Sequence, residues 1–179
     1  QHLDLYPAEV EWILPFKNIK GDTVTAYQYR HLTRQHKADD IAFLYHYTKD
    51  IQYLNYIPEQ AKSINLAFTR GEVETIDEGN GAFEAYRAAN RMYNWLFAHQ
   101  VLLASDDYSW RQQLTMIKTF LHTGAKLYHH NSVYHEGNHQ TRGMSALAML
   151  AIIFREIDGA ELWLDRAKSI LEDHLKKEI

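Results

Sequence analysis

The sequence contains no cysteine, only three prolines and eight glycines, and no run of eighteen or more apolar residues. Without cysteine there is no disulfide scaffold, no thiol nucleophile and no thiolate metal site. Glycine and proline stand at about half their average usage, so chain reversals must be few. A sandwich or barrel, which needs turn residues at short intervals, is thereby disfavoured. The missing apolar run leaves no segment able to cross a bilayer as a helix, so no membrane span is expected. Positive charge is not in surplus either: 19 Lys and Arg against 23 Asp and Glu give a net charge of −4. That balance argues against a nucleic-acid partner.

What remains is apolar and aromatic. Of 179 residues, 46% are hydrophobic and 13% aromatic, enough for one domain with a real core. The spacing predicts an all-α fold. Residues 1–24, with Pro7, Pro15 and Gly21, form an irregular segment lying on something else. A helix is expected from about Tyr27 to Tyr47, through Leu32, Ile41, Leu44 and Tyr45. Asp50 is placed to cap the next, which runs through Leu54, Ile57, Ala61, Ile64 and Phe68, with Pro58 marking a kink or a late start.

Residues 71–81 make one acidic loop holding three glycines. Beyond it Phe83 to Leu103 is a long helix. Asp106 and Asp107 are expected to open another, with Trp110, Leu114, Ile117, Leu121, Gly124 and Leu127 at 3–4 spacing. His129 and His130 suit the negative dipole end of that helix. Met144 to Phe154 is apolar almost all round, which predicts an inner helix covered on several sides. Asp158 and Gly159 then turn the chain into a last helix with Trp163, Ala167, Ile170, Leu171 and Leu175 inward.

Two stretches echo each other. Phe43 to Asp50 leads to Ala61-Lys-Ser-Ile64, and Ile153 to Asp158 leads to Ala167-Lys-Ser-Ile170. In each, a buried helix ends at an Asp turn and an amphipathic helix follows, which points to repeated helical hairpins, layer on layer. The chain begins at Gln1 without a methionine and stops at Ile179 inside an amphipathic pattern, so we expect a piece of a larger protein.

The sharpest chemical string is His135-Glu136-Gly137-Asn138-His139, which matches H-E-x-x-H. A zinc hydrolase needs both histidines one helical turn apart with the glutamate beside a metal-bound water. Gly and Asn between them are poor helix formers, so a loop is expected and no metal is assigned. The plainest alternative is that Asn138 caps the coming helix.

A wider set of residues carries a resemblance. Arg34, Ala42 to Asp50 with Tyr53, Phe83-Glu-Ala-Tyr-Arg-Ala-Ala-Asn-Arg91, Glu136-Gly-Asn-His139, Ile153-Phe-Arg-Glu156, Trp163 and Ile170-Leu171 occur in an order similar to the N-terminal helical domain of heparinase II/III-type polysaccharide lyases. The likeness is to the heparinase III, heparan-sulfate-lyase, kind. Members more often have Gly where Lys49 stands, Pro where Arg155 stands and Arg where Gln140 stands. These departures bear on the substrate more than on the fold.

The resemblance implies that residues 25–179 are part of an incomplete (α/α) toroid. Its inner helices line a groove for an acidic polysaccharide, and a β-sandwich domain follows later in the chain. It implies β-elimination across a 4-linked uronic acid. Asn138 would bind the uronate carboxylate oxygens and His139 would assist, stabilising an enolate-like state. The family's catalytic tyrosine and a further histidine come beyond Ile179, so this stretch alone would bind without turning over. No cofactor is implied, and family members are typically periplasmic or secreted.

Arg91, Arg34, Arg87 and Arg142 are the candidate substrate-binding residues, since an arginine fork suits sulfate or carboxylate. For Arg87 the competing reading is a pair with Glu84 on the helix surface. Trp95, Trp110, Trp163 and the tyrosines are more simply core than sugar platforms. The alternatives to a heparan-sulfate-type lyase are a lyase for alginate or another uronate, a zinc metallohydrolase using His135, Glu136 and His139, and a non-catalytic helical module binding carbohydrate or protein.

Overall fold

A computed structural model describes residues 8–72 and 81–178. Among these, seven helices follow one another: α1 (Ala26–Arg34), α2 (Ala38–Thr48), α3 (Ile51–Arg70), α4 (Ala85–Leu102), α5 (Trp110–His130), α6 (Asn138–Ile153) and α7 (Ala160–Glu178). No strand ladder forms among the described residues; Lys17 and Thr23 make one isolated antiparallel bridge. The all-α reading therefore stands. An acidic loop is expected on the rim of a groove for an acidic polysaccharide or outside it; most of this loop, residues 73–80, lies outside the described residues.

The helices pair as three hairpins, α2–α3, α4–α5 and α6–α7. Within the array α2 packs on α4 and α4 on α6, while α3 packs on α5 and α5 on α7. Hydrogen bonds fix the register of equivalent helices. The Tyr45 hydroxyl near the end of α2 donates to Asp107, 2.9 Å away just past α4, and Asn65 Nδ2 of α3 meets Thr119 Oγ1 of α5 at 2.8 Å. The helices α2, α4 and α6 accordingly run parallel and begin at one end of the array. The preceding segment, residues 8–24, buries Trp12, Phe16 and Val24. Trp12 is tied down by its indole N–H on Ser63 Oγ at 3.0 Å and by its carbonyl, which accepts the Tyr29 hydroxyl.

Several local expectations are corrected. The single helix expected over Tyr27–Tyr47 is two, because Gln35 adopts a left-handed conformation, φ 56°, ψ 39°. Its amide reaches back to the Leu32 carbonyl at 2.9 Å and accepts from the Trp95 indole at 3.2 Å. A contact 60 residues away thus ends a helix that no glycine or proline ends. The helix α3, capped by Asp50 Oδ1 on Gln52 N–H at 3.0 Å, starts on time and continues through Pro58.

The cap of α5 is Ser109, in a reciprocal capping box with Gln112, rather than Asp106 or Asp107. Its buried face is Met116, Thr119, Phe120, Thr123, Gly124 and Leu127, while Trp110 and Leu114 are exposed. The threonines tolerate burial because Thr119 and Thr123 donate to carbonyls one turn back, at 2.8 and 2.9 Å. In α6, Met144, Leu147 and Leu150 are buried but Ile152 and Ile153 are exposed, so the covering ends with the last turn. Leu175 of α7 is exposed too, whereas Ala167 and Ile170 are buried.

Candidate functional site

The helix α6 starts six residues before the apolar run that marks it in the sequence. Gly137 makes this possible: at φ 109°, ψ 160° it occupies a region open almost only to glycine, and Asn138 is the first helical residue. No side chain caps this N-terminus. Residues 131–137 are held from two sides. Gln140 accepts from the His135 backbone N–H at 2.7 Å and donates to the Val133 carbonyl at 2.7 Å. From α7, Glu178 accepts from Tyr134 Oη at 2.8 Å, Gly137 N–H at 3.1 Å and His174 Nδ1 at 2.7 Å. Those donors hold the Glu178 carboxyl below its ordinary value, the Gly137 N–H most of all, while the Tyr134 phenol is pushed up to about 12 by desolvation and then by Glu178.

Asn138 and His139 therefore stand exposed in the first turn of a well-anchored helix. His135 and Glu136 precede the helix, so the two histidines do not share a helical face as H-E-x-x-H chemistry demands. Among the described residues no group of three metal-ligating side chains converges.

His139 is fixed against α4. Its Nδ1 is 2.8 Å from Glu84 Oε1, and its ring stacks on Tyr86 at 4.9 Å and 29°. Glu84 is the N-cap of α4, its two oxygens accepting from the backbone N–H groups of Tyr86 and Arg87 at 3.1 and 3.2 Å. The Arg34 guanidinium lies over the Tyr86 ring at 5.1 Å. One turn further along α6, Arg142 lies over Tyr93 of α4 at 4.7 Å. His139, Arg34 and Arg142 thus meet α4 at Tyr86 and Tyr93, and Asn138 precedes His139 as the first, exposed residue of α6.

Arg91 and Arg87 do not join this surface, which corrects their assignment as groove residues. Arg91 is 1% exposed; its Nη1 donates to the carbonyls of Thr33 and Ala82 at 2.9 and 2.7 Å, and its guanidinium lies over Phe83 and Trp95. Burial drives its pKa down to about 10. Arg87 is buried as well, donates to the Gly81 carbonyl at 3.2 Å and pairs with Glu84 at 3.8 Å. Its pKa is lowered by burial, with Glu84 opposing. Glu84, Tyr86, Tyr93 and Gln140 are the members that sequence reasoning missed. Glu84 entered the sequence reading only as a partner for Arg87 and as part of the Phe83–Arg91 string, and spacing does not tie it to a residue 55 positions away.

The family model described as Heparinase II/III N-terminus matches residues 5–179. The chain belongs to the heparinase II/III N-terminal family. No curated protein and no solved structure matches it. The family is one of polysaccharide lyases. In this heparinase II/III N-terminal domain, the three departures noted above acquire physical settings. Lys49 ends α2 in a left-handed conformation, φ 56°, where glycine carries no steric cost. Arg155 is exposed just past the end of α6, a position that suits proline. Gln140 is buried and ties the turn before Asn138 through His135 N–H and the Val133 carbonyl.

Proposed function

We propose that this domain supplies the carboxylate-binding half of a lyase site acting on a uronic-acid polysaccharide, heparan-sulfate-like first and alginate-like second. The three hairpins are then part of an incomplete (α/α) toroid, completed by the rest of the same protein. The observation that carries the reading is the exposed Asn138–His139 pair at the uncapped start of α6, flanked by Arg34 and Arg142 on tyrosine rings.

The chemistry follows from the weak acidity of the C5 proton. Removing it places a second negative charge beside the uronate carboxylate, after which the C4=C5 double bond forms and the C4–O4 bond breaks. Neutral donors on the carboxylate oxygens lower that barrier most if they are already in place. The Asn138 amide and the free first-turn N–H groups of α6 are such donors, and the helix dipole adds a favourable field. Arg34 and Arg142 hold neighbouring acidic groups. The base that takes the C5 proton and the acid that protonates O4 lie outside this domain in the proposed scheme. Because a polysaccharide of this kind does not cross a membrane unaided, the protein works in the periplasm or outside the cell.

The test uses the full-length protein with heparan sulfate and with alginate, following the ultraviolet absorbance of the unsaturated uronate. Asn138→Ala should lower kcat by about 10²–10³, the usual cost of one such donor, at an unchanged melting temperature. Full activity in that variant refutes the role of Asn138. Binding of the polysaccharide by the wild type with no elimination supports a non-catalytic module instead.

A further inference from the structure

We infer that Glu84 is a positioning residue for His139, locking the imidazole proton at Nδ1 and leaving Nε2 as the ring nitrogen that meets the substrate. This inference rests on the lyase reading for its catalytic consequence but not for its geometry. The carboxylate of Glu84 is almost fully covered, with a side-chain exposure of 11%. Every group aimed at it is an N–H donor. Oε1 receives the Tyr86 backbone N–H and the His139 ring, while Oε2 receives the Arg87 N–H and faces the Arg87 guanidinium at 3.8 Å. A carboxylate so surrounded acts as acceptor, so Nδ1 of His139 is the donor. Among the described residues no group hydrogen-bonds Nε2, and the His139 side chain is 58% exposed.

Tyr86 completes the arrangement. Its ring covers one face of the imidazole, and its backbone N–H shares the Glu84 oxygen that His139 uses. Rotation of the His139 ring therefore breaks a stack and a hydrogen bond together. This is how a second residue sets the tautomer of a working histidine, the exposed nitrogen being chosen by what the other one donates to. With Nε2 outward, His139 is placed one residue from Asn138 to accept from a sugar hydroxyl, or when protonated to donate to the uronate carboxylate beside that amide.

The experiment is carried out on the full-length protein with ¹⁵N-labelled histidine. Nuclear magnetic resonance should show His139 with a protonated Nδ1 at alkaline pH, and Glu84→Ala, which removes the acceptor, should return it to the mixture of tautomers typical of a free histidine side chain. A protonated Nε2 in the neutral wild type, or a tautomer unmoved by Glu84→Ala, overturns the inference. In activity, Glu84→Gln should reduce kcat roughly 10–100-fold with a smaller change in KM, by analogy with the loss of a partner that orients a metal-bound histidine. Glu84→Asp, which keeps the charge but shortens the reach, should restore part of it. Because Glu84 also caps α4, melting temperatures are measured alongside, and the tautomer readout stands even if a variant is less stable. If the wild type eliminates no uronate polysaccharide but shows the Nδ1 proton, the lyase reading fails and the positioning of His139 survives.

Discussion

Gly143 of α6 packs directly against Ala85 of α4: a Cβ at Gly143 would lie 2.8 Å from that of Ala85 and 3.3 Å from Leu127 Cδ2. Ala85 follows Glu84 in the chain, and Gly143 lies one helical turn after His139. The missing side chain is what lets the starts of the two helices approach until Glu84 and His139 share a hydrogen bond.

Gly143→Ala should therefore destabilise the domain by about 1–3 kcal/mol, the cost of forcing a methyl group into a packed interface. Thermal unfolding measures that part. The same variant should weaken the hold of Glu84 on His139, visible as a shift of the His139 ring signals, although the substitution touches neither residue.

Arg34, Arg142 and Arg91 should separate into two classes. Arg34→Ala or Arg142→Ala should weaken binding of an acidic polysaccharide about tenfold each, equal to about 1.4 kcal/mol, and leave the melting temperature nearly unchanged. Because Arg142 is exposed, its contribution should shrink as salt is raised. Arg91→Ala should do the reverse, costing on the order of 3 kcal/mol in stability by leaving the Thr33 and Ala82 carbonyls unpaired in a cavity. Titration calorimetry at two salt concentrations, with thermal melts, distinguishes them.

Stability should fall on mild acidification. His99 is buried beside Tyr108, with Nδ1 2.8 Å from the phenol oxygen, and burial pushes its pKa below the ordinary 6.5. His122, stacked on Phe68, is lowered by burial and by Lys118. Both rings are neutral in the fold and gain a proton more readily when unfolded. Their contribution is complete above about pH 6.5 and is lost as pH drops below it. Melting temperature should decline from pH 7.5 to 5.5, and His99→Gln, which gains no charge, should flatten part of the decline. The lowered Glu178 acts in a separate window, below its ordinary 4.5.

Hairpin order was legible in the sequence because it rests on local periodicity. Asp50, Gly71 and the Asp158-Gly159 turn mark helix ends that the structure keeps. Faces were less legible. Trp110 and Leu114 fit a 3–4 pattern yet point to solvent, because the neighbouring α3 offers Asn65 to Thr119 and so draws a threonine-bearing face inward. Arg91 read as a groove residue because an arginine fork suits sulfate or carboxylate and because it lies in the Phe83–Arg91 string that carries the resemblance; the carbonyls of Thr33 and Ala82 that hold it inside are 58 and 9 residues away.

By itself the sequence determined a long-helix, cysteine-free, all-α domain and pointed to Asn138 and His139, since helix periodicity, sparse breakers and a short motif are written in neighbouring residues. Only the tertiary structure decided where α1 ends, that α6 begins at Asn138, and that Glu84 and Tyr86 hold His139. The end of α1 and the hold on His139 depend on hydrogen bonds and ring contacts between helices whose partners lie about 50 to 60 positions apart, and the turn before α6 is pinned by Glu178 from about 40 positions away, distances that leave no period for a sequence to show.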